Sequence, residues 1–361
     1  MTLRPRVTGR ALPAVATTLA GLFALSACGT DDAAAEGEAG GTLVVYTNSD
    51  GEGRGDWLTE RAEEDGMDIE IVGIGGGDLT DRLMAEAGNP VADVVFGLNH
   101  VFFSQLVEND VVAPYTPSWS EDVASPELGD PSGDGNFWPV VQQGIPLVYA
   151  LDAVDPESAP TDWLDLWEDP QWHGRYETVA DLGGATTQMV ISGILDRYQD
   201  PNGELGVSAE GWKQIEMYFD HGDPAVPETD LWLRMAEGEV DMGQQPGTSS
   251  LANREEEYGI EVGLVEPEMG IPFAVEQVAV VNGTDQEARA QEFIDWFGSA
   301  ETQSAWSEEF GSMPAVQGAI DEADPEIVEL HEDLRQQDID WDFVGENLPS
   351  WIEKIELEYL P

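Results

Sequence analysis

From residue 42 onward, apolar and polar positions fall into two rhythms. TLVVY (42–46) reads as a buried strand, followed by the polar, glycine-rich loop TNSDGEGRG. DWLTERAEEDG has helical spacing and stops at Gly66, and MDIEIVGI then alternates as a second strand. After Gly75-Gly76-Gly77 a helix is predicted from Asp78, with Leu79, Leu83 and Ala87 on one face and Gly88-Asn89-Pro90 as its end. ADVVFG is a third short strand. Strand, helix, strand, helix, strand predicts an α/β fold with a parallel sheet, whose loops at the strands' carboxyl ends are where such sheets bind ligands.

Further on, IPLVYALDAV (145–154) and IPFAVEQVAVV (271–281) are two apolar extended runs, each introduced by Ile-Pro. Between them lies an acidic, helix-rich stretch beginning at PTDWLDLWEDP. It contains DLGGATTQMVIS (181–192), a bare, hydroxyl-bearing turn ahead of an apolar helical run. Such a turn can offer backbone N–H groups and two hydroxyls to an oxyanion, or be a helix start and nothing more. EARAQEFIDWFGSAETQSAW is an amphipathic helical pair with Phe293, Trp296 and Phe297 inward.

Composition adds an envelope. The chain has 361 residues, enough for two lobes, and a formal charge of −59 from 73 acidic against 14 basic side chains. That charge opposes nucleic acid and anionic lipid as partners. The acids are spread along the chain, as in a solvated acidic shell suited to strong salt. Residues 1–28 read as a signal segment: Arg4, Arg6 and Arg10 precede an apolar run that ends at Leu25-Ser26-Ala27-Cys28. This ending matches the bacterial lipobox and implies a lipid on Cys28, the only cysteine, so no intrachain disulfide is expected. Residues 29–41, small and acidic, read as a flexible tether, and no later stretch is apolar enough to span a bilayer. The expected location is the extracytoplasmic face of the cell membrane.

TLVVYTNSD, IVGIGGGDLTDRLMAEAGNPVADVVFG, WLDLWEDPQWHGRY, AEGEVDMG and FIDWFGSAETQ, in that order behind a lipobox, resemble the extracellular solute-binding proteins of ABC importers. Within these the chain is most similar to the group that binds ferric iron, 2-aminoethylphosphonate, sugar phosphates or thiamine. The resemblance implies a two-lobed type II periplasmic-binding-protein fold, with two crossing hinge strands and a ligand cleft between the lobes. Residues 42–145 plus 277–361 would form lobe 1 and residues 146–276 lobe 2, closing by a hinge motion around the solute. It also implies a monomer without cofactor that delivers its ligand to a permease and ATPase complex.

Under this resemblance the cleft is lined by Thr47, Asn48 and Ser49 after the first strand, Gly75, Gly76 and Gly77 after the second, and Asn99 and His100 after the third. The middle segment contributes Gly184, Thr186, Thr187, Gln244, Gln245, Thr248 and Ser249, and the returning strand Glu276 and Gln277. Glu276 suits a ligand ammonium or sugar hydroxyls, or is a hinge carboxylate facing solvent. Arg54 and Arg175 are candidate helpers for an anion, and Trp138 and Phe273 candidate walls. The hydroxyl- and amide-rich set suits a small polar organic solute bearing phosphate or phosphonate. Ferric iron is the alternative, but the adjacent tyrosine pair of iron binders is missing: all eight tyrosines stand apart. A lipoprotein that binds a protein partner is a further alternative. An enzyme is not expected, because four scattered histidines, a single cysteine and no G-x-S-x-G form no catalytic constellation.

Overall fold

The computed structural model describes residues 41–360 apart from 228, 246 and 250. Cys28 and nearly all of the expected tether lie outside the described residues. The chain opens with β1 (Leu43–Thr47), α1 (Arg54–Glu64), β2 (Ile69–Gly73), α2 (Gly76–Glu86), β3 (Val94–Phe96), α3 (His100–Glu108), β4 (Val112–Ala113) and β5 (Trp138–Gly144). It continues through β6 (Leu147–Ala150), α4 (Asp165–Glu168), β7 (Glu177–Thr178), α5 (Ala185–Leu195), β8 (Gln199–Glu204) and α6 (Ala209–His221). Then come β9 (Asp223–Pro224), α7 (Leu231–Glu237), β10 (Met242–Gln244), α8 (Leu251–Tyr258), β11 (Val262–Val265) and β12 (Phe273–Val281). The last elements are α9 (Glu287–Phe297), α10 (Ala300–Phe310), β13 (Met313–Pro314), α11 (Gln317–Ile320), α12 (Pro325–Asp333) and α13 (Trp341–Glu358).

The first three strands form the expected parallel core: β1 pairs with β2 and with β3, placing Tyr46 beside Val72 and Val95. The sheet has the order β13-β5-β12-β3-β1-β2, with β4 also on β12. Local signals explain the early elements. Gly66, at φ +85°, ends α1: its N–H bonds the Glu63 carbonyl and that of Met67 the Ala62 carbonyl. Helix α2 begins at Gly76 rather than Asp78, because the Leu79 N–H already reaches the Gly75 carbonyl at 2.7 Å. Leu79 and Leu83 are buried as expected, whereas Ala87 falls just past the helix end and is exposed. In α9, Phe293 and Phe297 are fully buried, and Trp296 is half-buried with its indole N–H on Asp65.

A second sheet, β10-β6-β11, is antiparallel throughout. Helix α5 packs beside α6 with Met189, Val190, Ile191, Ile194 and Leu195 all buried. Each such side chain contributes about 1.5–3 kcal/mol relative to exposure. The two Ile-Pro steps join the sheets side by side, and the Ile145 N–H donates to the Pro272 carbonyl at 2.9 Å. Helix α13, in the stretch expected to group with lobe 1, lies against both α3 and α5. Val344, Leu348, Trp351 and Ile355 form one apolar face of α13, buried in the same cluster as Met189, Ile194, Ile215 and Tyr218. The Trp351 indole N–H donates to the Leu205 carbonyl at 2.9 Å.

Candidate functional site

Side chains from the carboxyl ends of the parallel strands, from the start of α5 and from the loop after β10 surround a cavity of about 440 Å³. That volume suits a small-molecule ligand. Of the residues expected to line a cleft, Asn48, Ser49, Gly76, Asn99, Gly184, Thr186, Thr187, Gln245, Ser249 and Glu276 are brought together around it. Gly75 and Arg54 join them.

The other expected residues lie outside this lining. Thr47 is buried, with its hydroxyl oxygen accepting from the Ser49 N–H, so it shapes the loop from beneath. Gly77 spends its N–H on the Gly183 carbonyl at 2.9 Å. Gln244 is the last residue of β10, where its Oε1 accepts from the buried Tyr218 hydroxyl. Thr248 is buried outside the lining. Arg175 pairs with Asp241 and lies over Trp172, away from the cavity. Trp138 donates to the Tyr115 carbonyl, and Phe273, His100 and Gln277 face a different cavity.

The lining is built on two helix starts. Gly75 and Gly184 stand at the N-caps of α2 and α5, and neither helix has a side-chain cap. The two ends touch: the Gly77–Gly183 hydrogen bond joins them, and a Cβ on Gly76 would sit 3.3 Å from that of Ala185. Helix starts carry unpaired N–H groups and a partial positive charge. A third start, that of α3, is closed by Asn99, whose Oδ1 accepts from Val101 and Phe102 at 3.0 and 3.3 Å.

Elsewhere in the lining, Ser249 donates to Gln143 Oε1 at 2.9 Å, and Gln143 Nε2 donates to Glu276 Oε1. Glu276 Oε2 and Asn48 Oδ1 are buried with no hydrogen-bond partner among the described residues. Burial pushes the Glu276 carboxyl above its usual range, while the Arg54 charge is the main influence pulling it back. Arg54 itself lies 3.0 Å from Glu52. Gln143 was missed by sequence reading because it sits inside the strand β5 rather than in a loop. Asp181 and Gly97, also in the lining, were not among the expected residues.

The cavity therefore combines backbone donors at two helix starts with the acceptors Asn48, Asp181 and Glu276, inside a two-lobed α/β fold. The chain belongs to the family described as bacterial extracellular solute-binding protein, which matches residues 57–332. It is a solute-binding protein of transport rather than an enzyme. Among the described residues no helix is long and apolar enough to cross a membrane.

The chain is 35% identical over 322 residues to the probable ABC transporter periplasmic-binding protein y4fP of Sinorhizobium fredii, covering 88% of this chain and 86% of that one. Iron-bound HitA from Pseudomonas aeruginosa shares the fold, with a TM-score of 0.72 at 20% identity over 87% of this chain and 99% of HitA. AfuA from Actinobacillus pleuropneumoniae with fructose-6-phosphate bound gives the same TM-score and identity, covering 88% and 98%. An iron-bound and a sugar-phosphate-bound structure match equally well, so the fold alone does not choose a ligand.

Proposed function

We propose that this chain is the lipid-anchored substrate-binding component of an ABC importer, held through Cys28 outside the membrane. It captures a small polar solute bearing a phosphate or phosphonate and delivers it to the permease and ATPase. Residues 42–145 and the return from 277 supply one lobe and the middle segment the other, with the apolar face of α13 in the middle segment's core.

The observation that carries the ligand class is the meeting of two helix starts without side-chain caps, α2 and α5, at one cavity. An oxyanion placed there accepts from backbone N–H groups and from the Thr186 and Thr187 hydroxyls. The rest of the solute faces Glu276 and Asn48, whose unpartnered oxygens call for hydroxyl or ammonium donors. Iron is disfavoured because no tyrosine lines the cavity among the described residues.

A thermal-shift screen of phosphonates, hexose phosphates, thiamine and ferric salts tests this reading. A solute at a hundred times its Kd stabilises by about 2.7 kcal/mol. The expected hit carries an oxyanion, and its affinity falls in Thr187→Val. A shift with ferric salts alone would overturn the ligand class.

A further inference from the structure

Strand β12 separates two cavities. Ala274 and Glu276 line the cleft, while Phe273, Val275 and Gln277, pointing the other way, line a rear cavity of about 940 Å³. Its remaining walls come from α3, the segment 125–131 and the first half of α13. Gln277 is fully buried; its Nε2 donates to the Leu128 carbonyl at 2.7 Å, and its Oε1 has no partner among the described residues. A buried carbonyl oxygen left without a donor is costly to the folded chain.

The charge around this orphaned acceptor has one sign. Glu108, Glu127, Asp342 and Glu346 stand at the rim, and no lysine or arginine is among the lining residues. His100 meets Trp341 edge to face at 4.7 Å, and burial lowers its pKa to about 4, so it brings no positive charge at neutral pH. Asp342 is the acidic neighbour that opposes this lowering. Among the described residues no three histidine, cysteine or acidic groups converge to hold a metal ion.

We propose that the rear cavity is a second binding site, taking a small organic ammonium ion. Its N–H group donates to Gln277 Oε1, its hydrocarbon part lies on Phe273, Val275 and Trp341, and the rim carboxylates balance its charge. An anion would meet only like charge there, and an apolar guest would leave the Gln277 oxygen unpaired.

Calorimetry of the full chain with 1,4-diaminobutane in 0.15 M salt tests the proposal, with 1,4-butanediol and succinate as controls. The expected result is saturable one-to-one binding of the diamine alone. Affinity should fall at least tenfold in the double variant Asp342→Asn/Glu346→Gln and in Gln277→Leu. It should be unchanged in Glu353→Gln/Glu356→Gln, which removes two exposed carboxylates of the same helix outside the cavity, and in the cleft variant Ser249→Ala. If Gln277→Leu does not fold, the charge variants decide. No saturable binding, equal losses in both charge pairs, or a loss in Ser249→Ala would each overturn the site.

Discussion

Arg254 of α8 reaches across to Glu52, in the loop after β1, donating from Nε to Oε1 at 2.7 Å. Glu52 is held from its own side by Arg54 at 3.0 Å, and Arg254 is steadied by Asp230 at 2.8 Å. The pair thus ties a loop of the seven-stranded sheet to a helix of the other half beside the cavity, as the Gly77–Gly183 bond does elsewhere on its edge.

Arg254→Met should therefore speed solute release without changing the ligand's own contacts. Both side chains are partly exposed, so the pair is worth no more than about 1 kcal/mol, a factor of roughly five in off-rate. Stopped-flow release at low and high salt checks this. The wild type should approach the variant as salt rises, and equal off-rates at low salt would remove the pair from the closing mechanism.

Glu276→Gln should make the solute-free protein more stable at pH 7–8. Burial raises the folded carboxyl above 4.5, so the folded state holds its proton more tightly than the unfolded chain. Below pH 4.5 both states are protonated and there is no penalty. As pH rises through the folded pKa, the wild type must bury a charge and loses stability. Denaturant titrations across pH should show the gap between variant and wild type closing toward pH 4.5. A gap independent of pH would contradict the assignment.

Gly97→Ala should damage both stability and binding. Gly97 sits at φ +98°, and a Cβ there would lie 2.6 Å from Asn48 Oδ1 and 3.0 Å from the Thr47 hydroxyl. The backbone strain alone costs about 1–3 kcal/mol, and relief by moving Asn48 would disturb the cavity wall. Chemical denaturation and calorimetry on the same variant measure the two effects.

The parallel core was legible because each early strand and helix ends on its own signal, Gly66 after α1 and Gly88-Asn89-Pro90 after α2. The two Ile-Pro steps stood out in the sequence, and they lie side by side, with the Ile145 N–H on the Pro272 carbonyl. Loop position pointed to Ser49, Gly184 and Thr187. It could not separate Thr47 or Gln244, whose polar atoms turn to local partners, from neighbours that face the cavity. Gln143 was hidden because its importance comes from Glu276 and Ser249, both more than a hundred positions away. Phe273 and Gln277 are a strand-parity matter: one step along β12 moves a side chain from the cleft to the rear cavity. The place of α13 was not readable, because its apolar face fits any complementary helix and only the fold supplies α5 and α6.

The central claim is that two hinged halves close on a solute held at the starts of α2 and α5. Small-angle scattering of the purified chain, titrated with phosphate- and phosphonate-bearing solutes, addresses it most directly. One solute class should contract the particle to saturation at one equivalent, and Thr187→Val should demand more of it. Profiles that stay the same with every such solute, or that contract equally in Thr187→Val, would contradict the account.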